Sequence, residues 1–379
     1  MISTAIIGCG KVSDKHALQI ARIPNAKLVA VCDVEPLLTQ QMAERFGVER
    51  QFTDAQQMID EVRPDVVHIT TPPQTHFQLG RICLLAGCHA YIEKPFTMNT
   101  AEAEELVALA IRKNLKLTVG HNAQFTPVMV RMRQLVNDGY LGGRPVHLES
   151  IFCYEMGGDD GYAKAFLRDS RHWLRSLPGS LLQNIISHGV GKIVEFLSGE
   201  KPLVIANGFT SHVLRRLGQE DIVDEVRVLV RDDEDTTAYF TFSTQIQPSL
   251  HQFRVCGPRK SLIADDDNQV LIKLRANDYK SYVPYFVGPV KIGSQYFENL
   301  ARNTWEFLKG DFHLPADTGL RRLMEKFYSA ISLGDPLPIS YRDILLTSRI
   351  MDDIFAQVLR NRGVGFGTAD ETKAVPAQR

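Results

Sequence analysis

No stretch of the 379 residues is apolar for long enough to cross a bilayer, which takes about 20 consecutive residues. Charge of one sign is also missing. The formal net charge is −1, which argues against nucleic acid or an anionic membrane as a general partner. Cysteine is sparse: six residues, at positions 9, 32, 83, 88, 153 and 256, with no CxxC pair among them. Neither a disulfide framework nor a zinc site is therefore expected, and no other metal site is predicted. No basic segment precedes an apolar signal-like core, so the expected location is the cytoplasm. Repeats and low-complexity segments are absent too. The last sixteen residues, 364–379, lack apolar periodicity and are expected to fray.

What remains is a chain with ordinary apolar and charged fractions and room for two cores. Its first 120 residues alternate short apolar runs with helical patterns. Strands are expected at 5–8, 27–33, 65–70, 90–93 and 116–120, and helices at 13–23, 35–46, 76–86 and 100–113. This rhythm predicts a doubly wound parallel sheet, an α/β domain spanning 1–123. After a helix at 128–137 the rhythm changes. Strands are expected at 146–154, 203–213, 224–231, 236–246, 250–256, 260–264 and 269–275, several with no helix between them. Consecutive strands of this kind imply antiparallel pairing, so residues 124–363 are predicted to form an α+β domain with an open, mainly antiparallel sheet. The acidic runs 232–235 and 265–268 read as solvated hairpin tips. Helical patterns return at 295–309, 317–333 and 341–361.

Gly8-Cys9-Gly10-Lys11-Val12-Ser13 lies between the first strand and the first helix, the context in which a glycine turn cradles a dinucleotide. Gly8 suits the tight turn. Gly10 lets backbone approach a pyrophosphate, whose charge the helix amides stabilise. Ser13 is small enough for helix–strand packing. Asp33 ends the second strand, where a carboxylate can bond both hydroxyls of the adenine ribose. It would repel a 2′-phosphate, and no arginine follows within two positions, so NAD is favoured over NADP. A glycine turn in another α/β fold, with Asp33 as a cap, is the alternative.

Four further segments complete a pattern: Thr71-Pro72-Pro73-Gln74-Thr75-His76, Glu93-Lys94-Pro95, Gly120-His121-Asn122-Ala123-Gln124-Phe125 and Asn184-Ile185-Ile186-Ser187-His188. With the glycine turn they resemble the Gfo/Idh/MocA oxidoreductases, over nearly the whole chain to about residue 360. The resemblance implies a Rossmann domain, a second domain whose exposed sheet makes homodimers or homotetramers, and a chain end that packs back toward the first domain. It implies hydride transfer between NAD and a hydroxyl carbon of a sugar, cyclitol, sugar acid or sugar nucleotide. Thr71, Pro72, His76, Glu93 and Asn122 fall on the cofactor side with Gly8, Gly10, Lys11, Val12, Ser13 and Asp33.

In the same pattern Lys94 matches the catalytic lysine, able to bond the substrate oxygen and take its proton. His188 is the second acid/base group, with Asn184 four residues earlier on one helical stripe opposite an apolar face. Such a stripe is equally what a surface helix shows. Many relatives carry Asp where this chain has Asn184 and Arg where it has Gln124. An amide takes up no proton usefully, so proton transfer falls on Lys94 and His188. Lys164, Arg168, Arg171 and Arg175 recur at helical spacing, so a helix over 162–177 would present a basic stripe. With the stacking pair His172-Trp173, that stripe suits an acidic sugar or sugar nucleotide; a solvated basic face is the plain alternative. Two other functions remain open: glycoside hydrolysis through transient oxidation with NAD recycled in place, and a non-catalytic NAD-binding sensor.

Overall fold

The computed structural model describes residues 1–156, 166–169, 171–177, 179–276, 279–308 and 315–361. The first part runs β1 (Ile2–Ile7), α1 (Lys11–Ile20), β2 (Ala26–Cys32), α2 (Pro36–Phe46), β3 (Arg50–Phe52), α3 (Ala55–Val62), β4 (Val66–Ile69), α4 (His76–Leu85), β5 (His89–Ile92), α5 (Thr100–Lys113) and β6 (Leu117–Val119). All six strands are parallel, in the order β3-β2-β1-β4-β5-β6. The order reverses between β1 and β4, and in such a sheet ligands bind at that switch point, at the carboxyl ends of the strands. The short pair β3–α3 had no counterpart in the sequence reading. Its signal was Asp54, which caps α3 by accepting from the Gln57 N–H at 2.7 Å.

A short 3₁₀ turn (Asn122–Phe125) and α6 (Pro127–Asn137) lead to β7 (His147–Cys153). Then follow α7 (Ser180–Ile185), α8 (Ser187–Val194), β8 (Leu203–Phe209), α9 (His212–Arg216), β9 (Glu225–Arg231), β10 (Thr237–Ser243), β11 (His251–Cys256), β12 (Lys260–Asp265) and β13 (Val270–Arg275). These seven strands form one sheet in the order β13-β12-β11-β7-β10-β9-β8. Its pairs are antiparallel except β7 with β10, which run parallel. β7 is followed by helices rather than a hairpin, so it enters the middle of the sheet and joins the meander β8-β9-β10 to the meander β11-β12-β13.

Two of the expected elements in this part take another form. The strand expected over 203–213 ends at Phe209, because Ser211 caps α9 by accepting from the Leu214 N–H. No continuous helix spans 162–177: residues 166–168 are helical, residues 173–176 form a separate 3₁₀ turn, and Lys164 lies outside the described residues. The acidic tips are the expected hairpin connections, exposed at Asp233, Glu234, Asp235, Asp267 and Asn268, with one carboxylate of each tied down. Asp232 accepts from the backbone of Ser198, Glu234 and Thr236, and Asp266 pairs with the buried Lys192.

Three long helices close the chain: α10 (Val283–Leu308), α11 (Pro315–Ser332) and α12 (Tyr341–Asn361). α10 begins twelve residues before the expected 295, running through Gly288, Pro289 and Gly293. α11 packs into the first core, where Leu323, Met324 and Phe327 are fully buried with strand residues of the parallel sheet. α12 fills the second core with Ile350, Ile354 and Phe355. It also covers the free edge of β8. Gln357 accepts from the Ala206 N–H at 2.9 Å and donates to the Val204 carbonyl at 3.0 Å, removing an edge on which another strand could add.

Candidate functional site

The glycine turn lies at the switch point. Gly8 sits at φ +96°, and a Cβ there would stand 2.8 Å from the backbone of Thr70 and Thr71. Only glycine fits that left-handed turn against the β4 loop. Gly10 is the N-cap of α1, makes no side-chain cap, and has open space where a Cβ would be. The first amides of α1 therefore face an open cradle, as a pyrophosphate requires. Ser13 is fully buried and its hydroxyl donates to the Gly10 carbonyl, while Lys11 and Val12 are exposed at the rim.

Asp33 accepts from the Cys9 N–H at 2.7 Å and the Glu35 N–H at 2.9 Å, which fixes its carboxylate beside the turn. Burial, then the Asp33 charge, pushes the thiols of Cys9 and Cys32 up to about 12, so both stay protonated. Replacing Asp33 with Ala removes charge-assisted hydrogen bonds worth about 1.5–3 kcal/mol. Calorimetry should show NAD affinity lower by roughly 10- to 100-fold, with NADP disfavoured less than before; an unchanged NAD-to-NADP ratio would remove Asp33 from the ribose.

Behind the cradle, two loops are clasped together. His76 is fully buried, with Nδ1 2.9 Å from the Pro95 carbonyl and Nε2 2.9 Å from the Thr71 carbonyl. The ring is packed between the Thr71-Pro72 turn and the Lys94-Pro95 loop, and as a neutral imidazole its single N–H donates to one of the two carbonyls at a time. Burial holds its pKa below the ordinary histidine range.

Lys94 crosses from the first domain to the second. Its Nζ donates to the Asn184 carbonyl at 2.8 Å and lies 3.4 Å from Asn184 Oδ1. Burial lowers its pKa, opposed by the adjacent Glu93 charge. Asn184 and His188 belong to α7 and α8, which Ile186 separates by one residue, so the expected single helical stripe is broken there. It is no solvated face. Ser187, Gly189, Val190, Gly191 and Lys192 around it are all buried. A Cβ at Gly189 would lie 2.4 Å from the Phe240 ring, so glycine lets α8 press onto the sheet. The His188 ring stacks on Phe152 at 5.7 Å, and its Nδ1 is buried without a partner. Burial first, then the charges of Lys94, His121 and Lys192, hold its pKa well below the usual value. A neutral imidazole with an unused ring nitrogen thus stands in the field of the Lys94 amine.

Glu93 heads a buried chain that the sequence reading missed. Its Oε1 is 3.0 Å from His16 Nε2, and its Oε2 accepts from the Lys94 N–H at 3.2 Å. His16 Nδ1 meets His68 Nδ1 at 2.9 Å; His68 Nε2 meets the Tyr328 hydroxyl at 3.0 Å, and that oxygen meets Thr4 Oγ1 at 2.9 Å. With both imidazoles neutral, one direction satisfies every group: Thr4 donates to Tyr328, Tyr328 to His68, His68 to His16, and His16 to ionised Glu93. Burial works to raise the Glu93 pKa, but the His16 hydrogen bond and the Lys94 charge outweigh it and lower it. Glu93 is thus bound up in orienting the Lys94 loop. A Cβ at Gly120 would lie 2.4 Å from Glu93 Oε1, so the following turn depends on glycine as well. The sequence signal was His68 in the otherwise apolar run of β4: a polar ring buried on both faces of a sheet requires partners.

The remaining candidates separate. Asn122 sits in the 3₁₀ turn, its carbonyl 2.4 Å from where a Cβ of Gly319 would be, so α11 approaches it closely. Gln124 is buried and donates to the Gly191 carbonyl at 2.8 Å. Arg168 and Arg171 are exposed, whereas Arg175 is taken up by the Phe166 carbonyl, Gln219 and Asp221. The basic stripe therefore does not exist as a helix face. His172 and Trp173 do stack, at 5.8 Å, and Gln74 donates to the Trp173 carbonyl and to Ser176, which ties this segment to the Thr71-Pro72 side of the crevice. Among the described residues, no group of three or more His, Cys, Asp or Glu side chains is arranged to hold a metal ion. Nor is any described helix long and apolar enough to cross a membrane.

Comparison with known proteins agrees with this fold. Residues 2–121 match the family model described as an oxidoreductase family with an NAD-binding Rossmann fold. D-glucoside 3-dehydrogenase of Escherichia coli is 34% identical over 37% of this chain and 40% of its own length, so the match spans well under half of that relative. Inositol 2-dehydrogenase of Rhizobium meliloti is 24% identical over 72% of this chain and 78% of its own. The solved structure of UDP-N-acetylglucosamine 3-dehydrogenase from Acidithiobacillus ferrooxidans superimposes with a TM-score of 0.70 at 20% identity, covering 95% of this chain and 99% of that one, which establishes a shared fold.

Proposed function

We propose, from the premise that residues 2–121 belong to the NAD-binding oxidoreductases of the Gfo/Idh/MocA type, that this protein oxidises or reduces a secondary alcohol of a sugar, cyclitol or sugar nucleotide. The observation that supports the reading is the hydrogen bond of Lys94, after β5, to Asn184, with the unpartnered His188 imidazole in the field of the same amine. Bound NAD supplies the hydride chemistry at its nicotinamide ring. The open amides of α1 hold its pyrophosphate, and Asp33 its adenine ribose. The Lys94 amine bonds the reacting hydroxyl and accepts its proton on oxidation, or returns it on reduction. His188, kept neutral by burial, accepts a hydrogen bond from the same hydroxyl or a neighbouring one and is the second proton carrier. Asn184 holds the Lys94 amine and orients a sugar hydroxyl, without exchanging protons itself. His172 and Trp173 offer a stacking surface near the cofactor end of the cleft, which suits a pyranose or a nucleotide base. Assembly through the open face of the second sheet belongs to the same reading.

Incubation with NAD and a panel of glucosides, inositols and UDP-sugars should produce the near-ultraviolet absorption of reduced nicotinamide with at least one of them. A panel that leaves the absorption flat while NAD binds would sink the reading in favour of a sensor.

A further inference from the structure

Helix α10 (Val283–Leu308) is amphipathic in the wrong direction for a helix of a lone chain. A surface helix ordinarily turns its apolar stripe to the core and its charges to water. Here the side facing the protein is polar. Asn299 accepts from the Leu271 N–H and donates to the Leu271 carbonyl, both at 3.0 Å. One turn earlier, Gln295 does the same for Lys273, at 2.7 and 3.1 Å. Two amides four residues apart thus pair with alternate residues of β13 and close that edge of the sheet as a strand would. The charged residues Lys291, Glu298, Arg302 and Glu306 lie on the same flank at helical spacing.

The opposite face is apolar and lies open. Tyr285 is 80% exposed, Phe286 71%, Val290 71%, Phe297 74%, Leu300 61% and Leu308 70%. Aromatic side chains present roughly 150–250 Å² each, so this face offers on the order of 1,000 Å². A standard interface needs about 800 Å² per partner. Phe286, Val290, Gly293, Phe297 and Leu300 are spaced four, three, four and three apart, the repeat with which one helix packs along another. A Cβ at Gly293 would meet nothing within 4 Å, which leaves a hollow for a side chain from outside. Two positive and two negative residues in the helix cancel, so it lacks the basic fringe that draws interfacial helices to anionic lipid.

We infer that α10 is an interface helix whose apolar face is buried against a second copy of this chain, helix along helix about a two-fold axis. Such an axis brings the same patch from each copy together, so one apolar stripe supplies both sides of the contact. The surface is separate from the open sheet face and stands whether or not the catalytic reading holds.

Light scattering on the full chain should give an even-numbered assembly. The double variant Phe297→Glu/Leu300→Glu should halve its mass with the far-ultraviolet dichroism unchanged, since both side chains point away from the chain's own core. Hydrogen exchange on the unaltered protein gives a reading that needs no variant: amides of 285–300 should be protected at high concentration and exchange at least tenfold faster on dilution. Ile205→Glu, on the open sheet, serves as the control. An unaltered protein that is monomeric overturns the inference, whether or not it then binds phosphatidylserine vesicles. So does a double variant of undiminished mass, or a mass that falls only with Ile205→Glu.

Discussion

Lys94→Ala should lower kcat/KM by roughly 10²- to 10⁴-fold, the usual worth of a positioned proton-transfer group, while NAD affinity changes by no more than a few-fold. The split follows from where the side chain goes. Its amine bonds Asn184, whereas Asp33 is held by the Cys9 N–H of the glycine turn, so loss of the amine leaves the α1 amides and Asp33 in place. Its lowered pKa, with burial the largest cause, makes the neutral amine accessible nearer physiological pH than on a surface lysine. Single-turnover kinetics with pre-bound NAD would isolate the chemical step. A rate equal to that of the unaltered protein would transfer the proton to His188 alone, and a matching loss of NAD affinity would make Lys94 a cofactor ligand.

Acid should destabilise the protein well before its carboxylates titrate. His68, His76, His121 and His188 all have pKa values held below the ordinary histidine value by burial, His121 down to about 4. A folded-state pKa below the unfolded one means that the unfolded chain binds more protons as pH falls. The stability from these neutral rings is therefore complete above pH ~6.5 and is lost progressively below it, toward the folded-state values. For His121 alone the difference amounts to about 2.5 kcal/mol by pH ~4.5. Urea unfolding should show a midpoint that drops steeply between pH 7 and 4.5, and His121→Gln should flatten that slope. A midpoint constant across this window would mean that these rings are solvated or already charged in the folded chain.

The first domain was legible because its physics is local. A glycine turn between strand and helix, an acid ending the next strand, and apolar runs at regular spacing each fix structure within a few residues. The second sheet was legible as strands but not as an order, because β7 pairs with partners about 90 and 100 residues away. The 162–177 helix failed because periodicity alone carried it, and the arginine at 175 finds better partners in Gln219 and Asp221 than in water. For His188 the residue pattern left a cleft and a solvated face both open, and the buried neighbours on α8 are what remove the second. A helical wheel separates polar from apolar, yet cannot tell a cleft from bulk solvent. His16, His68 and Tyr328 lie 52 and 260 residues apart along the chain, and nothing in sequence spacing joins them.

The position of α11 has a bearing on how this molecule is made. The parallel sheet is finished by residue 119, yet Thr4 and His68 at its heart find their hydroxyl partner only at Tyr328, and Leu323, Met324 and Phe327 complete its packing. A ribosome delivers that helix some two hundred residues after the last strand of the sheet. Until then the nascent nucleotide-binding half carries a greasy seam and two unmatched polar groups, a natural target for chaperones. A clone truncated at the end of the sheet would be expected to aggregate, however well its strands are formed.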